Sequence, residues 1–113
     1  MTREKATERI VRAIENPYTT ILGHPTGRLL LSREGYPLDW DAVFDACARR
    51  GVAIELNANP YRLDLDWTLI PEVSRRGIKI SINPDAHSTA GIHDIRYGVW
   101  AARKGRLTAG MCY

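Results

Sequence analysis

Two ten-residue stretches of this chain align without a gap, ARRGVAIELN (Ala48–Asn57) and SRRGIKISIN (Ser74–Asn83). Each reads as the end of a helix, a glycine stop, an apolar run and a closing Asn. Glycine ends helices because it enters the left-handed conformation without a Cβ penalty. Runs as short as VAIEL and IKISI suit strands covered on both faces. A helix-then-strand unit used twice permits few architectures. Strands that recur after helices pair in parallel through right-handed crossovers.

The remaining elements extend this pattern. Asp39 is a fitting N-cap for a helix from Trp40 to Arg50, whose apolar set Trp40, Val43, Phe44, Cys47 and Ala48 shares one face. Ala6, Ile10, Ala13 and Ile14 mark an earlier helix, closed by Asn16-Pro17 because a residue before proline avoids the helical region. Asp64 or Asp66 opens a third helix that runs to Arg76. Pro71 conflicts with a start at Trp67, so either the first turn is irregular or the helix proper begins near Pro71. A fourth helix covers Ile92 to Lys104 and stops at Gly105, with Gly98 a weak point. The tryptophans Trp40, Trp67 and Trp100 fall at core-facing positions and are expected to pack there.

Thr20–Leu22, Val52–Leu56 and Ile78–Ile82 supply three parallel strands. The predicted order is α-β-α-β-α-β-α, an α/β fold in one domain over residues 1–113. Residues 1–19 carry the helix before the first strand, 20–105 the βα units and 106–113 a tail.

Composition excludes several classes. No apolar run approaches the roughly 20 residues that cross a bilayer, so no membrane partner is expected. The start MTREKATERI lacks the apolar core of a secretory signal, and a cytoplasmic location is expected. Cys47 and Cys112 form no CxxC pair and read as reduced thiols. The net charge of +3 permits a polyanionic partner without demanding one, since Arg49, Arg50, Arg75 and Arg76 sit at helix ends and offset the helix dipole.

In parallel α/β folds the reactive groups gather at the carboxyl ends of strands. Here those ends carry Gly23-His24-Pro25, Asn57-Ala58-Asn59-Pro60 and Asn83-Pro84-Asp85-Ala86-His87. Asp85 and His87 alternate by two and project alike from an extended chain. A carboxylate with an imidazole suits zinc, manganese or iron better than magnesium or calcium. His24 offers a third donor from another strand end. Local readings compete: Asp85 as a turn or cap residue, His87 as a loop histidine satisfied nearby. Arg28 and Arg62 either fork onto a phosphate or are solvated loop arginines. Asn59 either orients a substrate or caps a turn. His93 stands alone, and Ser88 has no His/Asp relay.

At these residues the chain resembles a known family. ILGHPTGRLLLSREGYPLDWDAV, ELNANPYRLDLDW and GIKISINPDAHSTAGIHDIRYGVWAARKG look like the carboxyl-terminal part of a PHP (polymerase and histidinol phosphatase) domain, in particular that at the end of bacterial family X DNA polymerases. The likeness runs from Glu8 to Gly105. It implies part of a distorted (β/α)7, TIM-like barrel whose carboxyl face holds a trinuclear cluster of zinc or manganese. In that family the cluster hydrolyses phosphoesters, and in the polymerases it is associated with 3'-5' exonuclease and end-processing work in DNA repair. By the resemblance, His24 matches a single-histidine motif, and Asp85 and His87 match the final D-x-H. Arg28, Arg62 and Asn59 lie where phosphate contact is expected. DNA is then the partner through the parent polymerase. The family's early H-x-H, middle histidines and bridging glutamate precede the segment present. A partial domain is therefore expected, completed by the missing amino-terminal half of the barrel or by a second copy. The alternatives are a histidinol-phosphate-type phosphomonoesterase and a non-catalytic remnant without the first-half ligands.

Overall fold

A computed structural model describes all 113 residues. Helix α1 spans Arg3–Ile14 and α2 spans Trp40–Arg50. The Asp39 carboxylate accepts the Ala42 N–H at the start of α2, and Gly51, at φ +67°, turns the chain out of its end. Strand β1 is Ile21–Leu22, β2 is Ala53–Asn57 and β3 is Ile80–Asn83. They form one parallel sheet in the order β1-β2-β3. Ile21 pairs with Ala53 and Leu22 with Ile54, while Glu55 lies beside Ser81 and Asn57 beside Asn83. The α/β class is borne out.

Both readings of Pro71 hold. A 3-10 turn, Trp67–Leu69, is capped by Asp66 and leads into α3, Ile70–Arg75, with the proline in its first turn. There its missing N–H removes no helical bond. Asp64 opens nothing. It is fully buried, and its carboxylate accepts from the Thr26 N–H, the Thr26 hydroxyl and the Gly27 N–H. The last helix, α4, is Ile95–Lys104, preceded by a 3-10 segment at Ala90–Asp94.

The core joins Ile54, Leu56 and Ile80 of the sheet to Val43, Phe44 and Cys47 of α2 and Ile70 and Val73 of α3. The expected covering of both strand faces holds for β2, where Ala53 and Asn57 on the second face are buried as well, but only the first face is covered by an apolar core. Strand residues alternate, and Glu55, Asn57, Ser81 and Asn83 form a polar network on the other face. Gly98 is a close approach rather than a weak point. A Cβ there would lie 2.6 Å from both Ala58 Cβ and Ile82 Cγ2. Because α4 meets the sheet at Gly98, Trp100 turns away and is 57% exposed. Trp67 is 37% exposed, with the Lys104 ammonium 4.5 Å above its ring. Of the three tryptophans, Trp40 alone packs on the core, against Phe44. In the tail, Cys112 bridges in parallel to Ile80, and the Tyr113 N–H donates to the Ile80 carbonyl. No helix is long and apolar enough to cross a membrane.

Candidate functional site

Three parallel strands place the loops after β1, β2 and β3 at one end of the sheet, and polar side chains join them there. The β1 loop turns at once: the Gly27 N–H donates to the His24 carbonyl, and the Tyr36 N–H returns to the Thr26 carbonyl. Asp64, from the β2 loop, grips the same turn. Arg28 reaches the other way. Its Nε donates to the Arg62 carbonyl at 2.9 Å, Nη1 to Asp66 at 3.0 Å and Nη2 to the Leu63 carbonyl. Burial raises the pKa of Asp66, but hydrogen bonds from Thr68 and Arg28 outweigh it and hold the carboxyl below its ordinary value. Arg28 is thus a clamp between two loops.

The clamp fixes the loop that carries Arg62. Asn59 shapes that loop too: its side-chain oxygen accepts the Tyr61 N–H, and its carbonyl accepts the Arg62 and Leu63 N–H groups. This is the turn-capping geometry. Arg62 points to the β3 end, where its Nε lies 3.5 Å from the Asp85 carboxylate. Asp85 sits at φ +55°, in the left-handed region. The residue is therefore not extended, and the i, i+2 alignment with His87 gives way to a tighter turn. The His87 ring closes that turn, with Nδ1 2.8 Å from the Asp85 carbonyl oxygen.

Sequence reasoning missed one residue here. Glu55, in the middle of β2, accepts hydrogen bonds from the His24 N–H at 2.9 Å and Asn57 Nδ2 at 3.1 Å on Oε1, and from Asn83 Nδ2 at 2.8 Å on Oε2. A glutamate in an otherwise apolar run was the available signal. Asn57, with Nδ2 on Glu55, also accepts the Asn59 N–H.

The structure therefore brings Arg62 to Asp85, His87 to the Asp85 backbone, Arg28 to the Arg62 loop, and the His24 backbone to Asn83 through Glu55. It gathers no three His, Cys, Asp or Glu side chains into a group that would hold a metal ion. By donor type alone, two imidazoles and a carboxylate are the kind of ligands that would suit zinc or manganese. A metal-binding histidine commonly engages its other ring nitrogen on a carbonyl, which fixes the ring, and His87 does so. His24 is exposed at a strand end, beside a cleft of about 280 Å³ also lined by Arg33, Tyr36 and Arg62. Ser88 accepts the Gly91 N–H in a local turn and His93 is exposed, so neither joins the site. Nor does Cys47, buried with its thiol pushed up to about 12 by desolvation, which makes it unreactive.

No family model matches the chain. It is 41% identical over 98 residues to the DNA polymerase/3'-5' exonuclease PolX of Bacillus subtilis, a match covering 87% of this chain and 17% of that protein. It is 30% identical over 90 residues to a protein named probable phosphatase from Thermoanaerobacter, covering 74% of this chain and 34% of the relative. A probable phosphatase of Caldanaerobacter subterraneus is 27% identical over the same length. The chain thus spans about a third or less of the relatives it matches. The resemblance to a bacterial polymerase of this kind is borne out, and phosphatases beside it fit the PHP family.

Proposed function

We propose that this chain is the carboxyl-terminal part of a PHP-type phosphoesterase domain, in a protein that joins the domain to a DNA polymerase and works on DNA in the cytoplasm. The observation that supports this most is the 41% identity to a polymerase/exonuclease across the segment that holds GHPTGR and NPDAHS. The three parallel strands would be one portion of a TIM-like barrel, completed by the amino-terminal half or by a second copy.

On this reading His24, Asp85 and His87 supply part of a zinc or manganese cluster. When bound, the metal ions supply an activated water and a Lewis acid for the leaving oxygen of a phosphoester. The chain's own residues do the positioning. The Asp85 carbonyl holds the His87 ring so that Nε2 is the nitrogen left to bind. Arg62, whose pairing with Asp85 at 3.5 Å is loose, would turn its guanidinium to the substrate phosphate, and Asp85 would be one of the residues that hold metal. Arg28 keeps the Arg62 loop rigid, so that its fork meets phosphate without reorganisation, and Asn59 holds the turn that aims it.

The test is a chimera in which the matched segment of the B. subtilis enzyme is replaced by this chain. It is supplied with manganese and offered single-stranded DNA and histidinol phosphate. The proposal expects nucleotide release from the 3' end of DNA. The 30% identity to a probable phosphatase favours a second reading, a phosphomonoesterase, which hydrolysis of histidinol phosphate alone would establish. Loss of both activities with polymerase activity intact would make the segment a non-catalytic remnant.

A further inference from the structure

We propose that Glu55 is the positioning residue of this site, fastening together the strand ends that carry His24 and the Asp85–His87 segment. The inference rests on the functional reading above and adds a residue to it. The backbone ladder between β1 and β2 consists of the pairs Ile21 with Ala53 and Leu22 with Ile54. His24 lies beyond its end, and its N–H is satisfied by the Glu55 carboxylate instead of by a strand. On the other side, the Asn83 amide donates to the second oxygen of the same carboxylate, two residues before Asp85. One side chain therefore continues the sheet where its backbone pairing stops.

Nothing else accounts for the carboxylate. Glu55 is half-buried and has no Lys, Arg or His within ion-pair distance. All its partners are neutral donors: one backbone N–H and two side-chain amides. A carboxylate is the side chain that accepts three such bonds and donates none. Asn83 is fixed in turn, since its Oδ1 accepts the Ser81 hydroxyl at 3.0 Å, which sets the amide's orientation toward Glu55. The donor and acceptor pattern across the strand ends is thus fully specified.

That specification yields a swap experiment. Asn83→Asp sets a carboxylate against Glu55 and breaks the link. Adding Glu55→Gln to it restores one acid and one amide, reversed, while the glutamine oxygen still accepts from His24 and Asn57. Two readouts are taken on the 113-residue chain: hydrogen exchange of the His24 amide, and affinity for zinc alone. Glu55→Ala is expected to speed His24 exchange about tenfold, the scale of losing one charge-assisted hydrogen bond. Asn83→Asp is expected to weaken zinc binding roughly tenfold, the lower end for a group that orients ligands. The double variant is expected to recover both His24 protection and zinc affinity to near those of the unaltered chain. Equal behaviour of Asn83→Asp and the double variant overturns the proposal. Where the unaltered chain binds no zinc, as a partial ligand set would allow, the His24 readout alone decides the proposal: recovery in the swap upholds the link, and no recovery overturns it. If Glu55→Ala unfolds, the swap pair, which conserves side-chain volume, carries the test.

Discussion

Asp64 has its partners 37 and 38 positions away, in the loop after β1. No local pattern reveals such a contact, so an Asp shortly before Trp67 reads as a helix cap. The real cap is Asp66, and Asp64 is the buried anchor of Thr26 and Gly27. Removing a buried acceptor strands its donors. Asp64→Ala should therefore destabilise the chain by about 3 kcal/mol, and Asp64→Asn by less, since one oxygen remains. Denaturant midpoints at constant slope check both, and an unchanged midpoint for Asp64→Ala would contradict the anchoring role. Glu55 was hidden for a related reason: its run reads as a strand with one polar residue, and its meaning lies in partners on β1 and β3. By contrast, His24, Asp85 and His87 were legible as chemically apt residues at strand ends. Their local geometry was not. The i, i+2 rule assumes an extended chain, and Asp85 at φ +55° is not extended.

At the scale of elements, helix and strand positions were legible because hydrophobic period and glycine stops are local signals. The repeated RRG stop ends α2 at Gly51 and leads into β2 and then β3 as expected. Packing direction was harder. Trp100 and Gly98 lie on α4, and which of them meets the sheet depends on how closely α4 approaches β2 and β3. The approach is close, so glycine takes the contact and tryptophan the solvent. This reverses the usual propensity argument, in which alanine is better than glycine within a helix by about 1 kcal/mol. Gly98→Ala should instead destabilise by about 2 kcal/mol, because a methyl group 2.6 Å from Ala58 and Ile82 forces the helix outward. Thermal unfolding decides the sign. A stabilised variant would mean that α4 does not press on the sheet.

At the scale of the molecule, one face of the sheet is sealed by apolar side chains and the other carries a polar network. The loops at the strand ends are cross-tied by Arg28, Asp64, Arg62 and Glu55 rather than by apolar packing. Composition fixes neither feature. They follow from which face each alternating residue takes once the register is set. The proposed reading makes these strand ends one part of a site completed by the rest of a longer protein, and the chain matches 17% of a polymerase/exonuclease. The measurement that tests this most directly is the rate of 3'-5' removal of nucleotides from single-stranded DNA by the chimera, with and without His87→Ala. The account predicts that the substitution lowers the rate about 100-fold or more, at or above the upper end for a group that only orients a ligand, while polymerase activity and the thermal midpoint are kept. Hydrolysis at the unaltered rate would contradict it.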